Sequence, residues 1–158
     1  MIRKTVSSTC LAAALLLSAL PAAMAEEGVQ LPPIADKVTR TECSACHMAY
    51  PAVLLPKRSW HAIMSDLSNH FGEDASLDAK TEQHIRAYLE ANAADTGGRL
   101  PAISRGLSPS DTPLRISELP IIRSIHEEVG SRWRKRVGSM GKCNACHRGA
   151  ERGRFEEG

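Results

Sequence analysis

Aromatic side chains are scarce in this 158-residue chain, where Trp60, Trp133, Tyr50, Tyr88, Phe71 and Phe155 make up only 4%. A core filled by large rings is therefore excluded, and a chain this short struggles to bury enough surface with aliphatic residues alone. No segment alternates apolar and polar residues over strand length, which argues against a half-buried sheet and for an all-α fold with long loops. Beyond the N-terminus no run is apolar enough to cross a bilayer. Charge of one sign is lacking as well, since the chain has a formal net charge of +2.

What is present begins with an export segment. Arg3 and Lys4 precede the uncharged run Leu11–Leu20, Pro21 ends it, and Ala23-Met24-Ala25 supplies small residues for cleavage before Glu26. Residues 1–25 are thus expected to be a removed signal peptide, with a periplasmic product that meets a membrane at most peripherally. Cys10 lies inside the apolar run, is not placed as a lipoprotein cysteine, and leaves with it. The remaining charge is bipolar: residues 26–98 carry a net −5 and residues 99–158 a net +5. Such a dipole can orient a protein toward charged partners. The basic run Arg132-Trp133-Arg134-Lys135-Arg136 is read as facing acidic groups of a cofactor or redox partner, not nucleic acid.

The four remaining cysteines fall into Cys43-Ser44-Ala45-Cys46-His47 and Cys143-Asn144-Ala145-Cys146-His147. Paired C-x-x-C motifs can bind zinc or act as redox disulfides. Neither use requires a histidine directly after each pair. Covalent attachment of c-type haem does: two thiols add across the haem vinyl groups, and the next imidazole reaches the iron. The expectation is two covalently attached haem c groups, on Cys43 and Cys46 and on Cys143 and Cys146, with His47 and His147 as proximal ligands. Tethered haems would also supply the apolar bulk that the chain lacks.

Along the chain, Glu26–Pro33 reads as an extended leader and Asp36 as the cap of a helix running to about Cys46. Pro51 and Pro56 impose a loop over 48–58. Trp60, Ile63, Met64, Leu67 and Phe71 then form a helical stripe ended by Gly72. Asp78 caps a helix to about Ala94, with Ile85, Tyr88, Leu89 and Asn92 inward. Gly97-Gly98, Pro101, Gly106, Pro109 and Pro113 mark an irregular linker over 97–114 between a first lobe, 26–96, and a second, 115–158. Ser117 opens a helix with Ile121, Ile122, Ile125, His126 and Val129 on its stripe and Gly130 as its stop. A short basic helical turn follows, then the second motif and a frayed polar tail.

The sixth iron position decides the function. Met48 adjoins a proximal ligand, Met64 lies on a core stripe where methionine fills space, and Met140 sits too close to its own motif. Among the histidines, His126 lies on an apolar face, where an unpartnered imidazole is costly. His70 closes a helix where a loop can aim it back. His61 faces water near a helix start. His84, at the edge of an inward stripe, rivals His70 for the first haem.

The segments ECSACHMAYPAVLLPKRSW, NHFGEDASLD, IRAYLEANAA, RISELPIIRSIHEEV and KCNACHRGAERGRF together resemble the small bacterial dihaem cytochrome c family. That resemblance implies a first lobe like a class I cytochrome c and two histidines on each iron. His70 in NHFG and His126 in RSIHEEV match the distal positions. It further implies a non-enzymatic periplasmic electron carrier that donates to a small oxygen-binding monohaem cytochrome c, with a membrane cytochrome b as donor. Two other readings stand beside it. One is a dihaem subunit of a periplasmic reductase such as nitrate reductase; the other is a haem enzyme or gas sensor with one open iron.

Overall fold

Asp36 sets the first helix as its sequence suggests. Its carboxylate accepts the Thr39 amide at 2.7 Å, satisfying one of the orphan donors of a helix start. The computed structural model describes residues 28–96 and 102–156. The expected signal peptide, and residues 97–101 of the expected linker, lie outside these. Helix α1, Lys37–Cys43, stops three residues short of the expected Cys46. Its last turn tightens instead, as Ala45 N–H reaches Glu42 O and His47 N–H reaches Cys43 O.

Pro51 and Pro56 do produce a loop, with a 3-10 turn at Ala52–Leu54. Helix α2, Lys57–Met64, starts earlier than the stripe suggested because Asp95 supplies its missing cap, accepting the Lys57 amide at 2.7 Å. It also ends earlier, well before Phe71. Ser65 turns its hydroxyl onto His61 O at 2.7 Å, a local bond that competes with helix continuation. A 3-10 turn over Leu67–Asn69 follows, and the chain then reverses through two left-handed residues, Phe71 at φ 58° and Gly72 at φ 101°. His70 and Glu73 exchange backbone bonds across this reversal, at 2.8 and 3.2 Å. Phe71 is 44% exposed, so it does not join the stripe.

Helix α3, Ala79–Ala91, is capped by Asp78, which accepts from the Lys80 and Thr81 amides. Ile85 and Leu89 are buried as expected, whereas Asn92 is exposed and closes the helix by donating to Tyr88 O at 2.8 Å. Helices α2 and α3 pack together over a cluster of Ile34, Leu55, Trp60, Met64, Ile85 and Leu89. The Trp60 indole donates to Ala52 O at 2.7 Å, so its polar edge is satisfied inside. Leu119, from beyond the linker, is fully buried in this same cluster, and Ile103 and Leu107 of the linker pack against it.

Helix α4, Pro120–Ile125, starts at a proline, whose missing N–H costs nothing at a first helical position. Ser117 lies in a preceding 3-10 turn, Ile116–Glu118. The expected stripe is cut short at His126, and Ile125 is 62% exposed. The reason is Arg134, whose guanidinium donates to the carbonyls of His126 and Val129, both at 2.7 Å. Those carbonyls are thereby taken up by helix α5, Ser131–Val137, and Gly130 is the start of α5 instead of the end of α4.

Among the described residues the tail is paired through Arg154–Phe155. Strand β2, Arg154–Phe155, runs antiparallel to strand β1, Val29–Gln30, in the leader. Leu31 N–H adds a bond to Gly153 O at 2.8 Å. Gly153 is at φ 74°, and a Cβ there would sit 1.8 Å from Leu31 O, so only glycine permits this approach.

Truncation at the shared core gives a direct check. Leu119→Ala should cost about 2–5 kcal/mol, read as a lower urea midpoint. Ile125→Ala on the exposed side of α4 should stay within about 0.5 kcal/mol.

Candidate haem sites

The first motif follows α1, so the helix cap at Asp36 and the tight turn after Cys43 place Cys43, Cys46 and His47 on consecutive turns. The His47 Nδ1 lies 2.7 Å from Met48 O. A carbonyl only accepts, so Nδ1 carries the proton and Nε2 keeps a free lone pair for a metal. The chain reversal at Phe71 brings His70 opposite: the two imidazole centroids are 6.1 Å apart with planes inclined by 20°. Phe71 meets His70 edge-on at 4.9 Å, and Arg115 stands 4.2 Å over the Phe71 ring. Burial above all, with the Arg115 guanidinium nearby, pushes the His70 pKa down. That favours the neutral, metal-binding imidazole.

The second motif lies on a 3-10 turn, Cys143–Ala145, followed by His147. The His147 Nδ1 donates to Glu156 O at 2.6 Å. His126, at the end of α4, donates from Nδ1 to Ile122 O at 2.8 Å. The His126 and His147 centroids are 5.9 Å apart with planes at 87°. A cleft of about 360 Å³ borders His126 and is lined also by Ile122, Arg123, Arg134 and Met140.

These spacings provide a test of fit. Imidazole nitrogens bind first-row metals at about 2 Å, so two trans imidazoles on one metal have ring centroids roughly 6 Å apart. Both pairs meet that condition, and three of the four rings have Nδ1 engaged by a carbonyl. The other candidates are occupied elsewhere. His84 Nε2 lies 3.1 Å from Asp36 Oδ2, and His61 Nδ1 lies 3.0 Å from Glu90 Oε1. Met48 and Met64 are buried, Met64 within the core cluster.

The alternative uses of the cysteines fare poorly. Among the described residues no three His, Cys, Asp or Glu side chains gather as a metal site, as zinc would need. Burial pushes the Cys43 thiol up to about 11 and the Cys143 thiol upward too, the reverse of an activated redox thiol.

Sequence reasoning missed one residue that touches both sites. Tyr50 stacks on His47 at a centroid distance of 5.0 Å and donates its hydroxyl to Gly141 O at 2.7 Å. Gly141 O also accepts the Cys143 amide at 2.9 Å. The position of Tyr50 three residues after a proximal histidine was the available signal; its partner 91 residues away was not readable.

Against this geometry the comparisons are consistent. The dihaem cytochrome c family matches residues 39–155. The chain belongs to that family, and carries two covalently attached haem c groups on its two C-x-x-C-H motifs. Among solved structures, a dihaem cytochrome c from Rhodobacter sphaeroides is 59% identical, with a TM-score of 0.75. That match covers 78% of this chain and 99% of the other. A dihaem cytochrome c from Shewanella baltica is 36% identical, with a TM-score of 0.62, over 76% of this chain and 86% of the other. No curated protein matches.

The Asp36 cap predicts an acid response. The Thr39 amide, and after it His84, hold its carboxyl at about 2, below the ordinary 3.8. Its contribution to stability is therefore complete above pH 4 and is lost as the pH falls toward 2. Asp36→Asn should flatten this part of an acid unfolding curve followed by helical circular dichroism.

Proposed function

We propose that the chain is an exported, periplasmic single-electron carrier in which both irons have two histidine ligands: His47 with His70, and His147 with His126. The observation that carries this reading is the pair of imidazole spacings, 6.1 and 5.9 Å, between histidines distant in sequence. Each haem, when bound, supplies a one-electron ferric–ferrous couple. Held by two histidines, each iron would keep no site for substrate, and the haem would favour a lower potential than one with methionine ligation. The carbonyls of Met48, Ile122 and Glu156 fix the imidazole tautomers and raise ligand basicity. Tyr50 joins the proximal sides of the two sites, which supports a relay of one electron between them.

The acidic first half and basic second half favour electrostatic docking to redox proteins. A small monohaem cytochrome c is the proposed acceptor and a membrane cytochrome b the proposed donor. The absorption spectrum is the decisive experiment. Ferric and ferrous spectra should be low-spin and unchanged by carbon monoxide. A high-spin component or a carbon monoxide adduct in the native protein would refute the reading. His126→Ala should create a carbon monoxide adduct at one haem only, and His70→Ala at the other. His84→Ala should leave both spectra unchanged. Reduction of a charged partner should slow several-fold between low and about 0.5 M salt.

A further inference from the structure

The two proximal histidines differ in where their carbonyl partner comes from. His47 uses Met48, its own neighbour, whereas His147 uses Glu156 at 2.6 Å, nine residues further on, directly after strand β2. The Phe155 ring, in the same strand, meets His147 edge-on at 5.7 Å. That strand is held from both sides. Arg154 N–H bonds back to Gly149 O at 3.0 Å. On its other side β1 pairs Val29 with Phe155 and Gln30 with Arg154, and Leu31 N–H reaches Gly153 O. The approach is close throughout: a Cβ on Gly28 would lie 2.4 Å from the Glu156 Cα.

We infer that strand β1 is a positioning element of the second haem site, acting through β2 to hold the Glu156 carbonyl on His147. This rests on His147 ligating the second iron. Hydrogen bonding from Nδ1–H to a carbonyl increases electron donation by the imidazole and stabilises ferric iron over ferrous. A segment that precedes the first haem motif thus sets the potential of the second haem and not the first. Glu156 and Phe155 are positioning groups, held by the β1–β2 pairing together with the Arg154–Gly149 bond.

The test is a spectroelectrochemical titration of the holoprotein with two variants, Leu31→Pro, which removes the N–H donated to Gly153 O, and Gly153→Ala, which collides with Leu31 O. The second couple is first assigned as the one displaced in His126→Ala. In both variants that couple should rise by on the order of tenfold in ferrous-to-ferric ratio at fixed poise, about 59 mV for one electron. The first couple, unmoved, serves as the folding control. Two unmoved couples in both variants would overturn the inference. Should the variants lose the first couple as well, the native protein decides by nuclear magnetic resonance. The His147 Nδ1 proton should exchange slowly with solvent, and exchange at the rate of an open imidazole would refute the clasp. A low-spin second haem persisting in His147→Ala would instead refute the ligation beneath it.

Discussion

Each C-x-x-C-H histidine lies about 6 Å, ring centre to ring centre, from a second imidazole distant in sequence, 6.1 Å for His47 with His70 and 5.9 Å for His147 with His126. The thioether tethers fix only one of them. Much of the remaining fold can be understood as the means of delivering the other. For the first site that means is a chain reversal through two left-handed residues, one of them a phenylalanine, where positive φ is uncommon. The second site uses the end of a short helix, followed by an arginine that donates to the His126 and Val129 carbonyls just beyond it.

The attachment sites were readable from sequence because covalent chemistry demands a fixed local spacing. Asp36 and Asp78 were likewise legible as caps, since capping is decided within four residues. The helix ends were not. Periodicity carried α2 to Phe71 and α4 to Gly130, but the bonds that stopped them come from Ser65 onto His61 O, and from Arg134 eight residues beyond His126. His70 and His84 could not be separated by spacing alone. What separates them in space is Asp36, at 3.1 Å from His84 and far from it in sequence. The pairing of the tail with the leader had no signal either, because two-residue strands are too short to show alternation.

The scarcity of aromatics finds its counterpart in where the six are used. Trp60 is buried with its indole N–H bonded, and Tyr88 lies against the same cluster, with its hydroxyl accepting the Ala35 amide at 2.9 Å. Tyr50, Phe71 and Phe155 each touch a histidine of one of the two pairs. Trp133 is the more exposed of the two tryptophans, at 56%, with Arg136 above its ring at 5.4 Å. Half of the aromatic complement therefore orders imidazoles and does not fill the interior, where Ile, Leu and Met predominate.

Leu119 and the β1–β2 pair also bear on the order of assembly. A chain made from its N-terminus presents the Cys43 motif and α1–α3 early, yet their core lacks its central leucine until the segment beyond the linker arrives. The leader must wait longer still, for residues 153–156, and closing so long a loop carries an entropic cost that local helices do not. The surroundings of His147 thus depend on a long-range closure, whereas the first motif is set by local helices.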